Sequence, residues 1–182
     1  MKSKLVVLVY VLLHCVAAAA QESAAVRSYA VPGHGALKLS VPAGWTDGVR
    51  GQEGLPPTIR ISYGEGDGDV LVMITPFWSP KGDAQFNSTE NIRTAVERSR
   101  EAVLPSAVEK ELVLRPIRTA SGEGHFFWAT DRAPKAGEYE YVASGAVPAG
   151  KLLVTFTILS HAEPPAGIDK ALAILKSAIH EP

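Results

Sequence analysis

Cysteine is almost absent from this sequence, since Cys15 is the single one among 182 residues. The chain beyond Cys15 therefore has neither disulfides nor thiolate metal sites. This absence excludes the small scaffolds that disulfides hold together. The stability of the fold must come from packing instead.

Clusters of lysine and arginine are also missing. The 18 Lys and Arg residues are spread along the chain and are balanced by 19 Asp and Glu, which gives a formal net charge of -1 at pH 7. A nucleic-acid-binding domain usually carries a basic patch or stripe. We therefore expect no nucleic-acid partner.

The motifs of common catalytic and metal sites are lacking as well. The histidines are scattered, with no His-x-His or His-Glu-x-x-His group, and there is neither a Gly-x-Ser-x-Gly elbow nor a complete phosphate loop. Glu138 and Glu140 are two residues apart on one strand face, which is more typical of solvated carboxylates than of catalytic ones. The sequence thus predicts no metal, no cofactor and no catalytic residue.

Residues 1–20 have the pattern of a secretory signal peptide. Two early lysines precede an apolar run over 5–16, and a block of small residues ends at Ala20. We expect cleavage after Ala20, which leaves 21–182 as one exported domain, periplasmic or secreted. A membrane anchor needs about 20 apolar residues, and this run is shorter, so we expect no stable membrane span after cleavage.

Cys15 raises the alternative of a lipoprotein signal, in which the cysteine is acylated. Such signals have a small residue just before the cysteine. Here that residue is His14, and the alanines come afterwards. We therefore expect that the protein is not a lipoprotein.

The first half of the exported region is predicted to contain four strands in two hairpins, because short apolar runs are separated by Gly-rich turns. The four runs are VRSYAV (26–31), ALKLSV (36–41), TIRISY (58–63) and DVLVMIT (69–75).

The segment GEGDGD, residues 64–69, separates the last two of these strands. Its acidic residues Glu65, Asp67 and Asp69 suggest calcium, but the twelfth position counted from Asp67 is Trp78 instead of the glutamate of an EF-hand. We interpret the segment as a hairpin turn.

Two helices are predicted. The first begins with Asn87 as its N-cap, with Glu90 reaching back, and ends at Pro105. The closing helix spans 167–180 and buries one face against the sheet. The residues predicted on that face are Ile168, Leu172, Leu175 and Ile179.

Four further strands lie between the helices, at 108–119, 124–132, 139–147 and 151–159. The turns between them are too short for parallel crossovers. The sequence therefore predicts an α+β fold, a mainly antiparallel sheet of about six to eight strands covered by helices.

Two segments carry a resemblance to a known family. LSVPAGW (39–45) ends an early strand, and ALAILKSAI (171–179) lies in the closing helix. With the order of the elements, they resemble the PsbP-like superfamily over nearly all of residues 26–180. That group includes an extrinsic photosystem subunit, a nuclear-import Ran-binding protein and the periplasmic protein DcrB. The resemblance implies a layered α+β fold and an accessory or binding role, and it transfers no catalytic residue.

Three residues are candidates for partner or ligand binding. Phe77 and Trp78 lie between prolines after a buried strand, where they form a partner surface or else close the core. His125 follows Glu123 on the same strand face, where the carboxylate and the ring would lie side by side; alternatively it is a surface histidine at a strand start.

The leading functional hypothesis is an exported, non-enzymatic accessory or binding domain for a protein or another envelope component. The first alternative is a small-molecule carrier with an apolar cavity between helix and sheet, lined by Trp45, Trp78 and Trp128. The second alternative is a hydrolase. The partner, an envelope protein or a small molecule, is not identified by any motif.

Overall fold

The fold consists of two antiparallel sheets and two α-helices, in a computed structural model that describes residues 23–52, 54–64, 69–165 and 168–182. The strands are β1 (Ala24–Ala30), β2 (Ala36–Pro42), β3 (Thr46–Arg50), β4 (Thr58–Tyr63), β5 (Val70–Phe77), β6 (Arg115–Thr119), β7 (Gly122–Thr130), β8 (Tyr141–Ala149), β9 (Leu152–Ser160) and β10 (Ile179–Glu181). The helices are α1 (Thr89–Val103) and α2 (Asp169–Lys176), and one 3-10 turn, Leu104–Ser106, follows α1.

Several predictions fall outside the described residues. They are the signal peptide at 1–20, the acylation question at Cys15, and the hairpin turn at Glu65 and Asp67. No helix in the described part of the chain is long and apolar enough to cross a membrane.

The larger sheet has seven strands in the order β3-β4-β5-β9-β8-β7-β6, and every neighbouring pair is antiparallel. Alternate residues of β9 are buried on one face, because side chains along a strand point to opposite sides. That inner face meets α2 and the smaller sheet, whose order is β1-β2-β10. The main hydrophobic core lies between these layers.

The outer face of the larger sheet is covered by α1 over β7 and β8. Ile92 and Val96 of α1 pack there against Phe127 and Ala129 of β7 in a second, smaller core. The sheet therefore separates two hydrophobic clusters. The α+β class and the mainly antiparallel sheet are as predicted from the sequence.

The strand β3 has no counterpart in the sequence prediction. Its residues are mostly exposed and do not alternate between apolar and polar. Asp47 accepts a hydrogen bond from the Tyr29 hydroxyl at 2.8 Å and pairs with Arg27, so that polar contacts to β1 take the place of apolar burial. A period-two hydrophobic pattern does not detect such a strand.

The first helix begins one residue later than predicted, with Ser88 and not Asn87 as its N-cap. The Ser88 hydroxyl accepts a hydrogen bond from the Asn91 N–H at 3.3 Å. The Asn87 amide group is already engaged, because it donates to the carbonyls of Gly150 and Leu152 at 2.8 and 2.9 Å.

The strand predicted at 108–119 is shorter, since only 115–119 forms β6. Before it, Val108 N–H donates to the Thr130 carbonyl, but the Thr130 N–H donates to the Glu109 carboxylate. A side chain has thus replaced the backbone acceptor of a sheet ladder. The residues between Glu109 and β6 remain irregular.

The closing helix is also shorter than predicted and ends at Lys176. The Ser177 hydroxyl donates to the Ile174 carbonyl at 2.6 Å and accepts from the Ser40 N–H at 2.8 Å. These bonds end the helix and direct the chain along β2 as β10. Ile179, predicted on the buried helical face, is therefore in a strand and 53% exposed.

Candidate functional site

Phe77 and Trp78 follow each other but contribute to different surfaces. Phe77 ends β5 and is 37% exposed. Trp78 packs partly against the main core and stacks on His34, with ring centroids 4.5 Å apart and an interplanar angle of 28°. Trp78 therefore fits both interpretations made from the sequence, because it helps to close the core and also contributes to a candidate binding surface.

The stacked pair lines a pocket of about 390 Å³ at one end of the sheets, which we call the Trp78 pocket. Its volume is within the range of small-molecule sites, roughly 300 to 1,000 Å³. Besides His34 and Trp78, the side chains that give it polar character are Ser79, Asp83, Asn87 and Lys151.

His34 reaches the pocket because it lies at the tip of the β1–β2 turn. The flanking Gly33 and Gly35 both have a φ of 75°, a backbone region that glycine enters at little cost. Val31 N–H donates to the Gly35 carbonyl and His34 N–H donates to the Val31 carbonyl, each at 2.8 Å. The turn is thus closed by backbone bonds.

His180 of β10 connects this turn to the β8–β9 turn. Its Nδ1 accepts a hydrogen bond from the Lys151 N–H at 3.2 Å, so the ring proton is on Nε2. Nε2 then donates to the His34 carbonyl at 2.8 Å. A neutral imidazole therefore holds two walls of the Trp78 pocket together.

Asn87 holds the third wall of the Trp78 pocket, the segment between β5 and α1, against the β8–β9 turn. Both protons of its side-chain amide are used by the carbonyls of Gly150 and Leu152, which leaves its Oδ1 as an acceptor. The loop before it is held by the Ser79 Oγ, which accepts from the Asp83 N–H at 2.8 Å.

Two opposite charges lie at the rim of the pocket. Asp83 accepts a hydrogen bond on Oδ1 from the Gln85 N–H at 2.8 Å. Neither its carboxylate nor the Lys151 ammonium takes part in a salt bridge within the described ranges, and both residues are exposed. The rim thus offers one charge of each sign to a ligand.

His125 lies apart from this pocket, on β7, which is separated from β5 by β9 and β8. Its side chain is 12% exposed, so it is mostly buried and not the surface residue of the alternative interpretation. Glu123 is on the same face, as predicted, with its Oε1 3.9 Å from Nε2, and it also pairs with Arg118 at 3.1 Å. The Nδ1 atom has no hydrogen-bond partner in the described part of the chain.

A second cleft, of about 360 Å³, lies between α1 and the outer face of the larger sheet. None of the three tryptophans lines this cleft, so the prediction that all three line one cavity between helix and sheet is wrong. Trp78 lines the Trp78 pocket, Trp45 is 4% exposed in the main core, and the Trp128 ring centroid is 3.7 Å from the guanidinium carbon of Arg115. Much of the lining consists of hydroxyl side chains. These are Thr58, Thr75, Ser99, Ser144, Thr155 and Thr157.

The described residues hold no group of three or more His, Cys, Asp or Glu side chains that are placed to bind a metal ion. The residues that sequence reasoning missed are His34, Asp83, Asn87 and Lys151. The Gly-His-Gly and Gly-Lys turns are visible in the sequence, but only the pairing of β10 with β2 and the contacts of Asn87 bring these turns together.

Two solved structures are similar to this fold. Cyanobacterial PsbP (CyanoP) from Synechocystis has a TM-score of 0.52 at 10% sequence identity, and the match covers 93% of this chain and 99% of CyanoP. A crystal structure from Bacteroides thetaiotaomicron has a TM-score of 0.50 at 12% identity over 80% of this chain. The match covers 45% of the Bacteroides chain, so this protein spans less than half of that length.

No family model and no curated protein matches the sequence. At identities this low, a structural likeness speaks for the fold and not for the activity. Since the likeness to CyanoP extends over nearly the whole of both chains, this protein has the PsbP-like fold.

Proposed function

We propose that the protein is an exported, non-enzymatic accessory domain that binds a component of the cell envelope at the Trp78 pocket. One observation carries this proposal: the stacked His34 and Trp78 form the wall of a pocket to which separate turns bring an amide, a carboxylate and an ammonium group. Binding sites typically combine an apolar wall with a few placed polar groups.

The hydrogen bonds of the pocket favour recognition over catalysis. A nucleophilic hydroxyl needs a general base within about 2.6 to 3.2 Å. The Ser79 Oγ instead accepts from the Asp83 backbone N–H, and among the described residues no hydrogen bond joins it to His34. We therefore rank the hydrolase alternative below the binding role.

The carrier alternative has weaker support than the binding role. It requires an apolar cavity between helix and sheet, and the cleft beside α1 is lined by many hydroxyl groups. Thr58, Thr75 and Thr155 already have hydrogen-bond partners within the protein. An apolar ligand would take water from the remaining hydroxyls, which costs free energy.

Export is supported by the leader pattern at 1–20. The full chain, expressed in a bacterial host, should be recovered from the periplasm or the medium as a product cleaved after Ala20. N-terminal sequencing of the recovered protein checks this. A cytoplasmic product that retains Met1 would contradict export.

The binding role is tested by capture from an envelope extract with the purified protein as bait. We compare the native protein with the double variant Asp83→Ala/Lys151→Ala, which changes two exposed pocket residues. Lys110→Ala/Glu111→Ala is the matched control, because it removes the same two charges from exposed positions outside the pocket. We expect one component that is retained by the native protein and the control and is lost from the double variant.

Equal capture by all three proteins would contradict binding at the Trp78 pocket. Turnover on a panel of hydrolase substrates, abolished by His34→Ala in a protein that stays folded, would contradict the non-enzymatic role. The two outcomes are independent of each other.

A further inference from the structure

The polar groups of the Trp78 pocket are balanced in charge and mixed in hydrogen-bonding role. Lys151 supplies donors, and Asp83 supplies acceptors. The Asn87 Oδ1 is an acceptor because its amide protons are used by two carbonyls. Ser79 accepts a backbone hydrogen bond and still has its own hydroxyl proton to donate. A ligand with several groups that both donate and accept satisfies such a set.

The aromatic wall adds a second requirement. His34 and Trp78 each cover one face of the other ring, and the ring surface that still lines the pocket is apolar and has the negative π potential of an aromatic face. A ligand that fits must therefore have a flat patch of C–H groups on one side and hydroxyl groups around its edge. A pyranose ring has both features.

We infer that the Trp78 pocket binds a pyranose ring of an uncharged glycan. This inference rests on the proposed function, because it names the ligand class of the same pocket. The ring packs with its C–H face against the aromatic wall, and its hydroxyls exchange hydrogen bonds with Asp83, Asn87 and Lys151.

Other ligand classes fit less well. An anion such as phosphate would be repelled by the Asp83 carboxylate, and a cation would be repelled by the Lys151 ammonium. A zwitterion such as a dipeptide could pair with both, but ion pairs between exposed charges contribute little in water. Neither residue is buried. The neutral acceptors and the aromatic wall therefore favour a sugar.

The test is a titration of the purified protein with small ligands, in which binding is measured by calorimetry and by two-dimensional amide NMR. The probes are glucose, N-acetylglucosamine and their β-1,4-linked disaccharides, with alanyl-alanine and inorganic phosphate for comparison. We expect saturable binding of at least one sugar, with the largest shifts at the Trp78 indole N–H, at residues 33–35 and at residues 150–151.

Substitution locates the site. We expect Asp83→Ala and Lys151→Ala each to weaken sugar binding about two- to fivefold, because each removes a hydrogen bond made at an exposed position. Both residues are exposed, so the fold should persist. Glu111→Ala and Lys110→Ala are matched controls, since they remove the same charges from exposed positions outside the pocket.

The inference is overturned if no sugar binds, if the pocket and control variants bind sugar equally, or if alanyl-alanine or phosphate binds these residues more tightly than every sugar. In each case the capture experiment still decides the proposed function. A partner lost only with Asp83→Ala/Lys151→Ala would then show a binding pocket whose ligand is not a sugar.

Discussion

The carboxylate of Glu109 accepts hydrogen bonds from both the backbone N–H and the hydroxyl of Thr130, at 3.0 and 2.8 Å. Burial raises the pKa of Glu109, but the bonds from Thr130 and from its own backbone N–H lower it more, so the pKa lies below its ordinary value of 4.5. The ionised form is therefore favoured in the folded protein.

The first prediction concerns the pH dependence that follows. Because the folded pKa is depressed, the carboxylate stabilises the fold above pH 4.5, and this stability is lost as the pH falls through the folded pKa. We expect Glu109→Gln to lower the free energy of unfolding by about 1 kcal/mol at pH 7, a value reduced for partial exposure. The difference should shrink below pH 4.5.

Urea unfolding at pH 7 and at acidic pH measures this difference. Glu111→Gln is the control, because Glu111 is an exposed glutamate two positions along the same segment. A deficit in Glu109→Gln that is the same at every pH would show that the carboxylate charge is not responsible.

The second prediction concerns Trp45, which follows the end of β2. Its side chain is 4% exposed and lies 5.5 Å from the ring of Tyr63. We expect Trp45→Ala to cost about 3 to 5 kcal/mol, as other large-to-small core substitutions do. Since the Nε1 atom has no partner in the described part of the chain, Trp45→Phe should cost less.

Thermal and urea denaturation measure both variants. An unchanged melting temperature for Trp45→Ala, together with loss of ligand or partner binding, would assign Trp45 a binding role in place of a structural one.

The third prediction concerns Gly145 in the middle of β8. A Cβ atom there would lie 2.5 Å from the His125 carbonyl oxygen and 2.5 Å from the Phe126 Cβ. We expect Gly145→Ala to destabilise the fold by at least the roughly 1 to 3 kcal/mol typical of overpacking, since backbone must move. Gly48→Ala in β3 is the matched control, because no atom lies within 4 Å of its added Cβ.

Melting temperatures of the two alanine variants are compared with that of the native protein. Similar values for Gly145→Ala and Gly48→Ala would contradict the close approach of β7 to β8.

The fourth prediction separates Asn87 from its neighbour. Asn87→Ala removes two hydrogen bonds to the β8–β9 turn and should cost about 1 to 2 kcal/mol. Ser88→Ala removes the helix N-cap and should cost about 1 kcal/mol. Amide exchange should increase at residues 150–152 in the first variant and at the start of α1 in the second. The same exchange pattern in both would contradict these separate roles.

The prediction of fold class succeeded where hydrophobic periodicity is strong. The strands β5 and β9 are apolar or alternate regularly, so the sequence predicts them. It fails at β3, where Asp47 is held by Tyr29, and at Glu109, where a carboxylate replaces a ladder acceptor. Local hydrophobic patterns in the sequence do not predict such contacts between residues that are far apart along the chain.

The candidate site shows the same limit. Trp78 is conspicuous in the sequence because it is an aromatic residue between turn residues, but its neighbours His34 and Lys151 come from turns far away along the chain. His180 brings these two turns together by hydrogen bonds to both. The sequence predicts His180 in a helix, whereas the structure has it in the strand β10.

The separation of the two hydrophobic clusters by the larger sheet has a consequence for local unfolding. α1 packs on the smaller cluster and mainly covers β7 and β8, whereas β8 and β9 are hydrogen-bonded on both edges and also face the main core. Local opening should then release α1 while the sandwich stays closed. We therefore expect two cooperative units of unequal stability, of which the helical unit opens first.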